Sequence, residues 1–439
     1  MSEVTGKRSP TVVQVRAAAA AGAPGHPAGD AADDGAAGPA DELIQAALAG
    51  AREFLGMDVA FVGEFTEDLR VFRHVADDGH GPVRVGAAHR LEDTFCQRVV
   101  DGRLPSLMTD AGANLEAAAL PVTRVLPVGA HLSVPITLPD GRLYGTLCAF
   151  SADPMPELSE QHLGALRLLS ALLAGSLAAG SRAREEQSAA RAEILAVIGG
   201  QDFTTALQPI VELSTGRRVG FEALTRFGEG SPDVWFSRAA ASGLGTALEL
   251  AALDAAVRHL PGLPADEYLA VNLSAAVLCS GEFAARIPTL PLHRLVVELT
   301  EQTEVSSHVD VSQVVAALRA GGARVAVDDA GSGYAGLHRI VALGPDILKL
   351  DLELIRGIDH DPARQSLTLA MCQFARQTGA TVIAEGIESA AQLDTLASLG
   401  VGHGQGFHLG RPAPPATFGL PERTTCPGPP TPRRAPEGV

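Results

Sequence analysis

Apolar residues recur at helical spacing in "DELIQAALAGAREFLG" (Asp41 to Gly56), behind an acidic start that suits a helix N-terminus. Strand-like runs follow in "VAFVGEF" and "LRVFRHVA", and "LEDTFCQRVVDG" returns to helical spacing. Two alternating runs in "AHLSVPITLPDGRLYGTLCAFSA" flank Asp140-Gly141 and predict a β-hairpin. From Glu157 to Ile198 the pattern is helical for most of its length, with Gly199-Gly200 as a stop. The order helix, strands, helix, hairpin, helix describes an α+β module over 41–178, and 179–200 predicts a helix joining it to a second module. Beyond Gly200 short β-rich runs alternate with alanine-rich helical stretches, the pattern of parallel strands with crossover helices.

In that second half, polar or acidic residues stand repeatedly at the ends of the apolar runs. "RRVGFEALTRF" ends its run at Glu222, "EYLAVNLS" at Asn272, "RLVVELTE" at Glu298 and "ARVAVDD" at Asp328 and Asp329. "DILKLD" offers Lys349 and Asp351, "ATVIAEGIE" offers Glu385, and "GHGQGF" contains Gln405. A single such residue would cap the next helix or make a turn. Seven in order point instead to a (β/α)₈ barrel, whose parallel strands converge at their C-terminal ends. Carboxylates gathered there cannot all stay ionised without cations. Oxygen ligands with no cysteine and no H-E-x-x-H helix favour Mg²⁺ or Mn²⁺ over zinc. The adjacent Asp328 and Asp329 let one strand end serve two ions, an arrangement that supports in-line attack on a phosphate ester.

The stretch "VAVDDAGSGYAGLHRIVALGPDILKLD" also holds a G-x-G-x-x-G at Gly331, Gly333 and Gly336. A dinucleotide-binding loop would need a pyrophosphate to approach where Asp328 and Asp329 repel it. The glycines fit better as a sharply turning loop beside the metals.

Composition narrows the partners. The 439 residues, 46% hydrophobic, suffice for two or three packed domains. A net charge of −17 disfavours unassisted binding to a nucleic-acid polymer or an anionic membrane. The five cysteines are scattered, with no C-x-x-C pair, which argues against a structural zinc site and for reduced thiols in the cytoplasm. Cys96 and Cys148 read as buried structural cysteines, since neither has flanking basic residues; a bilin or redox attachment point is the other reading. No leucine-rich signal segment opens the chain, and "LGALRLLSALLAGSLAAG" (Leu163 to Gly180) is diluted enough to read as a soluble helix. The tails 1–40 and 419–439 are rich in Ala, Gly or Pro without periodicity and are expected to be disordered.

The first module resembles a GAF domain, mainly in the hairpin and its "GTLCAF" strand. The motifs Glu222-Ala223-Leu224, "NLS", "ELTE", "DDAGSGY", "KLD", "AEGIE" and "GQGFHLGRP" resemble, in order, those of EAL-domain cyclic di-GMP phosphodiesterases over about 203–415. The resemblance implies a modified barrel over 201–418 whose first strand runs against the others, and hydrolysis of cyclic di-GMP to linear pGpG with two Mg²⁺ or Mn²⁺ ions. It implies Glu222, Asn272, Glu298 and Asp328 as ligands of one ion, and Asp328, Asp329 and Glu385 as ligands of the second. Lys349 would orient the attacking water, Asp351 would support the second site, and Glu385 is the candidate base. Arg226 would hold a phosphate, Gln208 and Gln405 would lie along the nucleotide groove with Leu224, and Glu301 and Glu388 would brace the loop and the site. Ala330 where Phe is usual, Ser389 where Thr is common, and "RAAASGLG" in place of an acidic segment depart from the family pattern. The expectation is a GAF-regulated cyclic-guanylate-specific phosphodiesterase acting as a homodimer, its GAF ligand unidentified. The alternative is a non-catalytic cyclic di-GMP receptor or protein-interaction module, or a GAF photosensor or redox sensor with a silent output domain.

Overall fold

The computed structural model describes residues 39–79, 81–299, 308–330 and 343–420. It divides into two compact units, Met1–Arg182 and Ala183–Val439. Most of the two expected tails, Glu301 and the loop glycines Gly331, Gly333 and Gly336 lie outside the described residues. Pro39 and Ala40, expected within the first tail, open a helix instead.

The first unit is built on a six-stranded antiparallel sheet in the order β3-β2-β1-β6-β5-β4. Its strands are β1 (Val59–Thr66), β2 (Leu69–Ala76), β3 (Ala88–Arg90), β4 (Leu107–Met108), β5 (Ala130–Thr137) and β6 (Leu143–Ser151). The predicted hairpin is β5–β6, turning at Gly141 with φ of 85°, a left-handed conformation that favours glycine. Strand alternation splits the sheet's side chains between two layers. Ala60, Val62, Leu132, Val134 and Leu147 pack with helix α1 (Pro39–Leu55) and the start of a long helix, through Ile44, Leu48, Leu163, Leu166 and Leu173. Val59, Phe61, Cys148 and Phe150 face the other way. They pack with α2 (Phe95–Val100) and α3 (Leu115–Ala119) through Phe95, Cys96, Val99 and Ala117. Burying each large apolar side chain of these layers contributes about 1.5–3 kcal/mol.

The long helix is α4 (Glu160–Gly200), uninterrupted through Gly175 and Gly180 and ending at the Gly199-Gly200 pair expected to stop it. A helical glycine costs only about 1 kcal/mol relative to alanine, so isolated ones do not break a helix packed along its length. By length and composition it is the one helix among the described residues apolar enough to cross a membrane. Leu163, Leu166, Leu173 and Leu177 are nevertheless buried in the first unit's core.

The second unit is a closed eight-stranded barrel in the order β10-β11-β12-β13-β14-β7-β8-β9. Its strands are β7 (Phe203–Glu212), β8 (Arg218–Phe227), β9 (Tyr268–Asn272), β10 (Leu295–Leu299), β11 (Arg324–Ala330), β12 (Ile347–Leu350), β13 (Thr381–Ala384) and β14 (His403–Gly404). β7 pairs antiparallel with both β8 and β14, while the pairs from β8 round to β14 are parallel, so the first strand is reversed as expected. Ile210, Val219, Tyr268, Ala270, Val296, Ala326, Ile347 and Ile383 fill the interior. Outward residues such as Leu269, Val297 and Val325 pack under the surrounding helices.

Candidate active site

The interior apolar layer fixes where the polar residues go. Side chains two apart on a strand share a face, so Asn272 follows Ala270, Glu298 follows Val296, Asp328 follows Ala326 and Lys349 follows Ile347 into the barrel mouth. Glu385 follows Ile383 in the same way, one residue past β13. Glu222 differs from the expected strand end: it lies in the middle of β8, which continues to Phe227, and still faces inward opposite Gln208 of β7.

The Lys349 ammonium, with 1% side-chain exposure, stands among four carboxylates. Its Nζ is 2.7 Å from Glu298 Oε2 and 2.7 Å from Glu385 Oε1, with Asp328 Oδ1 at 3.4 Å and Glu222 Oε2 at 3.6 Å. Asn272 Nδ2 donates to Glu222 Oε1 at 3.0 Å. Residues up to 163 positions apart in the chain thus meet at one point, and one ammonium cannot neutralise four carboxylates.

The proton affinities record that excess of negative charge. Burial works against the Lys349 charge, yet Glu222, Glu298, Glu385 and Asp328 hold its pKa well above the ordinary lysine value. Burial pushes Glu298 well up; Lys349 opposes this, and the other three carboxylates add to it. Glu385 is pushed up to about 8, first by burial and then by Asp328 and Glu222, against the pull of Lys349. Glu222 goes the other way: burial opposes its charge, but Lys349 and the Gln405 and Asn272 amides outweigh it and lower its pKa.

The donor set fits hard divalent cations. Glu298 Oε1 is buried with no hydrogen-bond partner, an oxygen with unused lone pairs in a region of surplus negative charge. Among the described residues no group of three His, Cys, Asp or Glu side chains is already arranged to hold a metal ion. Lys349 bridges the carboxylates instead. The backbone of Asp329 belongs to β11.

The expected substrate residues separate into two groups. Leu224, Arg226 and Asn272 line one cavity of about 540 Å³, together with Pro232 and Phe236 of α5 (Pro232–Ala241). Gln208 and Gln405, expected along the nucleotide groove, are buried beneath Glu222 instead. Gln405 Nε2 donates to Glu222 Oε2 at 2.6 Å and to Gln208 Oε1 at 2.9 Å, while Gln208 Nε2 donates to the Gly410 carbonyl. Their amides hold the Glu222 carboxylate in place. Gly406 makes this possible: a Cβ there would overlap the Ile387 backbone. Asp351 caps the short helix Leu352–Ile355 by accepting from the Glu353 N–H at 3.2 Å. Glu388 is exposed, and its backbone N–H donates to Gln392 Oε1.

One acid in the cavity escaped the sequence reading. Glu249, on α6 (Gly245–Val257), lines the same cavity as Arg226. Its carboxylate accepts the Ser274 N–H at 2.8 Å, and burial raises its pKa against that bond. The available signal was one of only two charges, Glu249 and Asp254, in a mostly apolar helix.

A model of the EAL domain matches residues 191–412, just over half of the chain. The chain belongs to the EAL domain family. A GAF domain model matches residues 38–178 of this EAL protein. It is similar to the probable cyclic di-GMP phosphodiesterase PdeN of Escherichia coli K12, 30% identical over 238 residues, covering 51% of this chain and 46% of the relative. The bifunctional diguanylate cyclase/cyclic di-GMP phosphodiesterase MucR of Pseudomonas aeruginosa is 33% identical over 223 residues, covering 47% of this chain and 32% of the relative. The chain therefore spans less than half the length of these two curated relatives. Among solved structures it is similar to the calcium and cyclic di-GMP complex of Klebsiella pneumoniae BlrP1, with 32% identity and a TM-score of 0.44 over 49% of this chain and 56% of that one.

Proposed function

We propose that this EAL protein hydrolyses cyclic di-GMP to linear pGpG with two Mg²⁺ or Mn²⁺ ions. The observation that carries the reading is the convergence of Glu222, Glu298, Asp328 and Glu385 on Lys349 at the barrel mouth. Glu222, Asn272, Glu298 and Asp328 would hold one ion, and Asp328, Asp329 and Glu385 the other. When bound, the ions supply positive charge against the phosphate and a water of lowered pKa.

The chain's own residues do the rest. Gln405 and Asn272 fix both oxygens of Glu222, so that carboxylate is oriented before any ligand arrives. Lys349 donates to Glu298 and holds Glu385 close, and orients the attacking water. Glu385 takes a proton from that water, and Asp351 supports this side of the site. Arg226 binds a phosphate of the dinucleotide, whose body occupies the cavity with Leu224 and Asn272. Glu301 and Glu388 brace the loop and the site, a ligand of the GAF domain regulates turnover, and the chain works as a cytoplasmic homodimer.

The test is incubation of the purified full-length chain with cyclic di-GMP and Mn²⁺, followed by chromatography of the nucleotides. Linear pGpG is expected. Recovery of intact cyclic di-GMP in complex with the protein would replace the hydrolase by a receptor.

A further inference from the structure

The second layer of the first unit, otherwise apolar, encloses a compact polar group. Arg70 on β2 is 3% exposed, and its side chain lies across Gly63 of β1, where a Cβ would come within 2.9 Å of Arg70 Cδ. Its guanidinium carbon stands 4.0 Å from the Phe72 ring centroid and 5.2 Å from that of Phe61. It meets His89 Nδ1 at 2.6 Å and donates to Cys96 Sγ at 3.3 Å. The ion pairs of the described residues include none between Arg70 and a carboxylate. A buried guanidinium is costly without a negative partner. The Cys96 sulfur is the neighbour able to supply one.

Cys96 is itself paired. Its Sγ lies 3.5 Å from Cys148 Sγ, and both residues are 0% exposed. Cys148, central in β6, is further held by Ser133 Oγ and Thr146 Oγ1, each at 3.2 Å. Burial opposes a thiolate at Cys96. The Cys148 hydrogen bond, the Arg70 charge and Thr146 outweigh it and bring the Cys96 pKa down to about 5. Burial and the adjacent Cys96 push Cys148 well up. His131, 2% exposed and with its pKa lowered to about 3 by burial and by Arg70, faces this layer from β5 as a neutral ring. A thiolate beside a thiol is the reactive form of a dithiol, and apolar side chains would fill the same volume at lower cost.

We propose that Cys96 and Cys148 form a redox-active dithiol that closes to an intramolecular disulfide on reaction with hydrogen peroxide. The Cys96 thiolate attacks a peroxide oxygen, the O–O bond breaks, and the departing hydroxide takes a proton and leaves as water. Cys148 then attacks the resulting sulfenic sulfur: the S–S bond forms, the S–O bond breaks, and a second water leaves with the Cys148 proton. Two thiols are oxidised by two electrons and one peroxide is reduced. The sulfurs must close from 3.5 Å to about 2.05 Å. β6 is hydrogen-bonded on both sides, to β1 and β5, so the short helix α2 supplies the movement.

The experiment uses the full chain carrying Cys279→Ser and Cys426→Ser, which removes exposed Cys279 and the cysteine of the C-terminal segment. It is treated with hydrogen peroxide, alkylated and mapped by mass spectrometry. The expected product is a Cys96–Cys148 peptide pair lacking two hydrogen atoms and reversed by dithiothreitol. In Cys148→Ser, Cys96 is expected to accumulate as a sulfenic acid captured by dimedone. In Arg70→Met, oxidation at about pH 6 should be roughly ten-fold slower, because loss of thiolate outweighs the gain in nucleophilicity. Peroxide treatment that leaves both thiols free, or oxidises them without joining them, would overturn the proposal.

Discussion

Replacing Glu222 by alanine is expected to lower cyclic di-GMP turnover by roughly 100-fold or more, beyond the 10–100-fold typical of changes to groups that merely support a metal ligand. The substitution removes one of the four carboxylates around Lys349 and strands the amides of Gln405 and Asn272, which donate to its two oxygens. Loss of the Glu222 acceptor from the buried Gln405 amide costs about 1–3 kcal/mol, so the variant should also melt earlier. Comparing turnover with the thermal midpoint separates the two effects. Glu222→Gln keeps the volume but not the charge, and should be as inactive while recovering part of the stability. Activity retained in a folded Glu222→Ala protein would remove this carboxylate from the chemistry.

Lys349→Met should produce the largest change in stability. Removing one member of a buried ion pair costs about 3–5 kcal/mol, and here the lost ammonium faces four carboxylates. The sign of the pH dependence follows from Glu298 and Glu385, whose folded pKa values are raised, the latter to about 8. Their contribution is full below the unfolded carboxyl value and is lost as pH rises through the folded value. Without the lowering pull of Lys349 both values rise further, so the metal-free variant should lose stability as pH rises and recover it toward the unfolded carboxyl value. Mn²⁺ should restore part of the melting temperature, most strongly at the alkaline end, while turnover stays lost. A melting temperature independent of both pH and Mn²⁺ would mean that the carboxylates do not crowd one another as described.

Much of the barrel was legible in the sequence because its strands obey a period of two under a filled interior. Val296 and Glu298, Ala326 and Asp328, and Ile347 and Lys349 each place an apolar side chain and then a polar one on the same face. Order along the chain therefore became proximity at the mouth. The pattern was less informative where long-range pairing decides a side chain's surroundings. Glu222 belongs to the middle of a ten-residue strand, because the reversed β7 pairs along nearly all of β8. Gln208 and Gln405 read as groove residues, yet they lie 197 positions apart and bond to each other under Glu222. Cys96 and Cys148 lack basic neighbours in sequence, and their guanidinium arrives from Arg70, 26 residues before Cys96. Local sequence cannot show a partner that the sheet brings across.

Titration of chelator-stripped full-length protein with Mn²⁺ in the presence of cyclic di-GMP, counting bound ions by electron paramagnetic resonance, tests most directly whether the barrel mouth traps hard cations. Two ions per chain are expected, and neither should bind tightly to a folded Glu222→Ala, Asp328→Asn double variant. Equal Mn²⁺ binding by the native protein and by that variant would contradict the account.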